Sequence, residues 1–304
     1  MTAMVKGLYI MSNHAFDRVY APSIRAEIEK SVDIYAEPLT RDVIDYNRSV
    51  LQEAEVIFSG WGGPKLDEQF LKAAPNLKAF FYAAGSLKSI VTDACWERDL
   101  VLSSAYAANA IPVAEYTLSQ VIFSLKGGWR FSTKIKQDKK YPDKREDPNI
   151  GVFGSTIGII SLSMVGKRVC ELLKSFDVKV IAYDPFASQQ EAERLNVELC
   201  SLEDIFTRSD VVSLHTPWLK ETEGMITGEH MESMKYNSTF INTARGAVVN
   251  EPEMIEVLTR RQDITAILDV TYPEPPAADS QLYVLPNVVL TPHLAGSEGE
   301  ECGR

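Results

Sequence analysis

The chain has 304 residues, of which 45% are hydrophobic and 24% charged, the balance of a globular protein of about two domains. Its formal charge of −11 argues against nucleic acid as a partner, because phosphates would be repelled rather than neutralised. No apolar run reaches the ~18 residues that a membrane span needs.

The N-terminus, "MTAMVKGLYIMSN", lacks a charged segment followed by a long apolar core, so no signal peptide is expected. Cys95, Cys170, Cys200 and Cys302 lie far apart with no C-x-x-C among them. They read as free thiols of a cytoplasmic protein, and no metal site is expected.

Taken in chain order, short apolar runs alternate with longer amphipathic stretches. The first third offers the strands "GLYIM", "VDIYA", "EVIFSG", "LKAFFYAAG" and "LVLSSA". A long helix follows in "IPVAEYTLSQVIFSLKGGWR", carried by Val113, Leu118, Val121, Ile122 and Leu125. The tract "KIKQDKKYPDKRED" interleaves acids with its lysines and reads as a solvated loop. From residue 157 the strands are "TIGIIS", "VKVIAYD", "DVVSLHT", "TFINTA", "ITAILDV" and "NVVLTPH". Such alternation predicts an α/β protein of two doubly wound parallel-sheet domains, of five and six strands, divided near the long helix.

The stretch "STIGIISLSMVGKRV" is the chemical centre of the second half. A strand, a small-residue turn and a helix follow one another where G-x-G-x-x-G belongs in a dinucleotide fold, but Ser161 and Ser163 replace the first two glycines and only Gly166 remains. A serine hydroxyl can donate to a phosphate, and the helix start still offers free N–H groups and a positive dipole end. On this feature alone, a purely structural turn serves as well. Twenty-three residues beyond Ser161, Asp184 ends the next strand, where an acid accepts from ribose hydroxyls and repels a 2′-phosphate. The combination favours NAD(H) over NADP(H), with Ser163, Met164 and Val165 at the pyrophosphate.

Four further polar residues come at or just after the ends of later strands of the same half. "TFINTARG" delivers Arg245, "ITAILDVTYPEP" delivers Asp269 and Glu274, and "NVVLTPHLAG" delivers His293. Each alone has an ordinary explanation as an ion pair, a loop acid or a loop histidine. Together they suit hydride transfer on a 2-oxo acid. A guanidinium fork holds the carboxylate, a histidine titrating near neutrality serves the carbonyl oxygen, and a carboxylate steadies the other ring nitrogen.

Several motifs in order, "AAGSLKSIVTDACWERDLVLSSAYAANAIPVAEYT", "GIISLSMVG", "SDVVSLHTP", "FINTARGAVVNE", "LDVTYPEP" and "LTPHLAGS", resemble the D-isomer-specific 2-hydroxyacid dehydrogenase family over nearly the whole chain. The resemblance implies a flavodoxin-like substrate domain over 1–112, a Rossmann NAD-binding domain over 113–292, and a return to the first domain over 293–304. It assigns Arg245 to the substrate carboxylate and carbonyl, His293 to acid–base catalysis and Glu274 to the support of His293. It further assigns backbone amides of Gly85 and Ser86 to the substrate carboxylate. Asp269 would face the nicotinamide, His215, Thr216 and Pro217 would line the adenosine side, and Thr243 and Ala244 would lie beside the cofactor.

The family's closing helix in the substrate domain is not reached by Arg304, eleven residues past His293, so that end is expected to be truncated. A homodimer around the 113–130 helix is also implied. The expected activity is NAD-dependent interconversion of a small 2-oxo acid and its D-2-hydroxy acid. A regulatory NAD(H)-binding protein of co-repressor type is the alternative, since such relatives keep the same triad. His14 and Trp61, in loops after "GLYIMS" and "EVIFSG", are candidates to shape the substrate pocket, with Trp61 equally suited to packing.

Overall fold

A computed structural model describes residues 4–143 and 151–304. The chain divides into two compact units, Met1–Asn109 with Ser297–Arg304, and Ala110–Gly296.

The first unit holds β1 (Val5–Ile10), β2 (Val32–Ile34), β3 (Val56–Ser59), β4 (Ala79–Tyr82) and β5 (Val101–Ser104), the five strands expected from the sequence. All pair in parallel in the order β2-β1-β3-β4-β5, the flavodoxin-like winding. Successive residues of β1 point to opposite faces. Leu8 and Ile10 join Ile57 and Phe80 on one side, while Tyr9 and Met11 join Phe16 and Tyr20 on the other. Trp61 packs into these clusters with the Arg18 guanidinium 5.2 Å from its ring centre, so it takes a packing role here. The returning tail is held to this unit by Ser297 N–H, which donates to Asn109 Oδ1 at 2.9 Å, and by the Arg18–Glu298 pair at 3.2 Å.

The second unit holds β6 (Thr156–Ile160), β7 (Lys179–Tyr183), β8 (Glu198–Leu199), β9 (Val211–Leu214), β10 (Thr239–Asn242), β11 (Thr265–Leu268) and β12 (Val288–Leu290). The order β12-β11-β10-β9-β6-β7-β8 is wholly parallel, so every strand ends at the same edge. Strands β9, β10 and β11 are buried at every position, as expected of a parallel sheet covered on both faces. Alternation within them separates two cores. Val212, Leu214, Phe240, Ala266 and Leu268 serve one face, and Val211, Ile241 and Ile267 the other. The sequence predicts six strands here and the sheet has seven. The added β8 has two residues, too few to show a period.

The long helix runs Tyr106–Leu125, with Pro112 inside it, and a second helix runs Gly128–Asp138. Residues 134–138, read from the sequence as loop, are therefore helical. The charges that suggested solvation include Lys134 and Asp138, an i,i+4 ion pair 3.8 Å apart that supports the helix. The remainder of that tract from 144 to 147 lies outside the described residues. No helix among the described residues is long and apolar enough to cross a membrane.

Candidate active site

The serine turn reproduces the glycine turn by other means. Ser161 adopts φ 76, the left-handed conformation glycine favours, and its Oγ donates to Asp184 Oδ2 at 3.2 Å. Leu162 N–H donates to the same oxygen at 2.8 Å, and Phe186 N–H to Oδ1 at 2.9 Å. Asp184 is thereby locked across the end of β6. Ser163 N-caps the helix Met164–Leu173, accepting from Gly166 N–H, and gives its own proton to the His215 carbonyl at 2.9 Å. Gly166 is retained for a steric reason. A Cβ there would lie 2.1 Å from the Ser161 carbonyl oxygen.

The order of strands reverses between β6 and β9, and ligands of such sheets bind at this switch point. Just beyond it, His215 and Thr216 are buried, and the His215 Nδ1 and Thr216 Oγ1 have no hydrogen-bond partner among the described residues. Buried polar atoms of this kind are costly unless a further group meets them. The first N–H groups of the helix, from Met164 and Val165, have no acceptor within the helix. Asp184, this helix start and the orphaned atoms form a donor and acceptor set suited to a dinucleotide. Burial pushes the His215 pKa down to about 3, which keeps its ring neutral near neutrality and unfit for proton transfer there.

The catalytic candidates stand at the same edge. His293 Nδ1 and Glu274 Oε1 are 2.6 Å apart, both side chains a little under half exposed. Arg245 follows β10, half-buried, with its Nη1 donating to the Ala244 carbonyl at 2.6 Å. The backbone after it turns sharply at Gly246, where a Cβ would lie 2.0 Å from the Thr271 carbonyl carbon. Thr243 is buried, and its hydroxyl meets that of Thr117 at 3.1 Å.

Asp269 takes a part that spacing did not reveal. It is 2% exposed, and its carboxylate accepts from Thr291 Oγ1 at 2.6 Å, Leu294 N–H at 2.9 Å and Ala295 N–H at 3.0 Å. Its backbone carbonyl accepts from His293 N–H at 3.0 Å. Asp269 therefore organises the loop that carries His293.

Residues 118–295 match the D-isomer specific 2-hydroxyacid dehydrogenase NAD-binding domain. The chain belongs to that family. Its second unit is the family's NAD-binding domain. The D-3-phosphoglycerate dehydrogenase of Archaeoglobus fulgidus is 32% identical over 274 residues, 90% of this chain and 50% of that protein. The Bacillus subtilis protein YoaD, described as a 2-hydroxyacid dehydrogenase, is 43% identical over 241 residues, 78% of this chain and 69% of that protein. This family member thus spans about half the length of the phosphoglycerate dehydrogenases it matches. Among solved structures, the D-isomer specific 2-hydroxyacid dehydrogenase of Lactobacillus delbrueckii ssp. bulgaricus, in its NAD-complexed form, superposes with a TM-score of 0.78 at 22% identity, covering 97% of this chain and 92% of that one. The D-lactate dehydrogenase of Aquifex aeolicus, complexed with NAD and lactic acid, gives 0.70 at 26% identity, covering 97% and 90%.

Of the expected site residues, those after β6, β7, β9, β10, β11 and β12 meet at one sheet edge of the second unit. Gly85 and Ser86 belong to the first unit, just after β4, where the Gly85 carbonyl accepts from Ser104 Oγ at 3.1 Å. Sequence reasoning passed over Tyr116, whose hydroxyl lies 3.1 Å from Thr291 Oγ1. Its position within the "VAEYT" motif was the available signal, though nothing in the sequence points from there to residue 291.

Proposed function

We propose that this protein is an NAD(H)-dependent oxidoreductase that interconverts a small 2-oxo acid and its D-2-hydroxy acid, with His293 as general acid in reduction and general base in oxidation. The observation that carries the reading is the His293–Glu274 contact at 2.6 Å, on the sheet edge that also bears Arg245. A histidine held at one ring nitrogen by a carboxylate has its tautomer and orientation set, leaving the other nitrogen to exchange a proton with substrate.

When bound, the nicotinamide supplies the hydride that reaches C2 of the oxo acid. Arg245 holds the substrate carboxylate in its planar fork and polarises the carbonyl, and His293 gives a proton to the carbonyl oxygen. Met164 and Val165 N–H groups serve the pyrophosphate, and Asp184 serves the ribose diol and disfavours a 2′-phosphate. His215, Thr216, Pro217, Thr243 and Ala244 flank the cofactor. A homodimer belongs to the same reading.

Turnover of a panel of 2-oxo acids with NADH and with NADPH tests it. Reduction with NADH, and lost in His293→Ala while NADH still binds, is the expected result. Saturable NADH binding with no turnover on any member would favour the regulatory alternative.

A further inference from the structure

The histidine loop is tied to the long helix through a chain of three side chains. Thr291 Oγ1 is 2.6 Å from Asp269 Oδ1 and 3.1 Å from the Tyr116 hydroxyl. A carboxylate only accepts, so Thr291 spends its proton on Asp269 and must accept from Tyr116. Burial raises the Tyr116 pKa, and the nearby Asp269 charge raises it further, so the phenol stays a donor. Tyr116 therefore donates to Thr291, and Thr291 donates to Asp269.

The far end of this chain governs backbone. Asp269 also takes the N–H groups of Leu294 and Ala295, and its carbonyl takes that of His293. His293 itself has φ 53, a left-handed conformation uncommon for any residue but glycine, and one that persists only where surrounding bonds over-determine it. All the donors to the Asp269 carboxylate in this loop are neutral, and the group is buried. Losing one of them leaves a buried charge short of a partner, which drives the loop to rearrange. Tyr116 sits ten residues into a helix packed by Ala114, Val121 and Leu125 against the core under β6, so its end of the chain is anchored.

We propose that Tyr116 and Thr291 are positioning residues for His293, fixing through Asp269 the loop that aims the imidazole at Glu274 and at substrate. The proposal rests on the acid–base reading of His293 given above. Neither residue touches the imidazole, and their effect passes through the backbone of 293–295.

The test is a set of variants read by kcat, by NADH affinity from fluorescence titration, and by melting temperature. Thr291→Val keeps the shape and removes the hydroxyl. It should lower kcat by about 10–10²-fold, the scale of a small misplacement of a catalytic group, with NADH Kd changed by less than about threefold. Thr291→Ser restores the hydroxyl and should recover most of the lost turnover. Tyr116→Phe should cost less, because Thr291 still reaches Asp269, and it carries the test if Thr291→Val fails to fold. Thr291→Val with near-normal kcat, or with kcat and NADH affinity falling together, would overturn the proposal, as would failure of Thr291→Ser to restore turnover. Failure of the underlying reading looks different: His293→Ala itself would then stay active.

Discussion

Ser161 and Asp184, twenty-three residues apart in sequence, are joined by a hydrogen bond of 3.2 Å from hydroxyl to carboxylate across the end of β6. The bond accompanies an unfavourable backbone, because Ser161 holds φ 76. Two opposing effects act on one residue, and substitutions separate them. Ser161→Ala keeps the strained backbone and loses the bond. Ser161→Gly loses the bond and also relieves the strain, since glycine enters the left-handed region at no steric cost. Ser161→Gly should therefore be more stable than Ser161→Ala by about 1 kcal/mol, the usual cost of a β-carbon at such a position. Denaturant midpoints of the two variants check this. Equal midpoints would mean that the turn relaxes out of the left-handed region.

The two serines also show where sequence reading stops. The strands were legible because their apolar residues form short runs that end in turn residues, and parallel winding follows from the alternation with helices. Asp184, Arg245, Glu274 and His293 were legible because each follows a strand of the sheet in a recognisable order, and Gly166 because it falls at the third glycine of the turn-and-helix pattern. The bonds from the Ser161 hydroxyl to Asp184 and from the Ser163 hydroxyl to the His215 carbonyl were not. They join residues 23 and 52 positions apart through hydroxyl rotamers that no spacing rule encodes. Asp269 was placed correctly at its strand end, yet its engagement with Thr291, Leu294 and Ala295 depends on how the 291–295 loop folds back. The helix over 134–138 was missed because a charge-rich tract has the same composition whether it is loop or ion-paired helix.

His215 predicts an acid dependence of stability. Its ring is buried and its pKa is pushed from 6.5 down to about 3 by that burial. The unfolded chain therefore binds a proton that the folded chain refuses between those two values. The stability this group contributes is complete above about pH 6.5 and drains away as the pH falls toward 3. Urea midpoints measured from pH 7 to pH 4 should fall more steeply for the parent protein than for His215→Gln, which has nothing to protonate in that range. Carboxylates contribute the same slope to both, so parallel curves would remove His215 as a cause.

Arg245→Lys tests the recognition of the substrate carboxylate. A lysine keeps the charge but cannot present two parallel N–H groups to a planar carboxylate. One charged hydrogen bond is worth about 1.5–3 kcal/mol, so KM for the oxo acid should rise by about 10–10²-fold. NADH affinity should stay near that of the parent protein, because the defect lies with the substrate. A KM within about twofold of the parent would place the carboxylate elsewhere.

Glu274→Gln separates orientation from proton transfer. At 2.6 Å the Glu274 carboxylate accepts from the His293 Nδ1–H, which fixes the ring and leaves Nε2 for the substrate. The amide of glutamine can still accept through its oxygen, but it can also turn its NH₂ toward the ring and favour the wrong tautomer. The imidazole stays in place, so turnover should fall by less than the ~10²–10⁴-fold expected when His293→Ala removes the acid outright. A double variant distinguishes a shared role from two separate ones. If Glu274 acts only through His293, adding Glu274→Gln to His293→Ala should cost almost nothing more, because residues that work as a unit are not additive. A further multiplicative loss in the double variant would give Glu274 a part of its own in the reaction and break the pairing that the geometry supports.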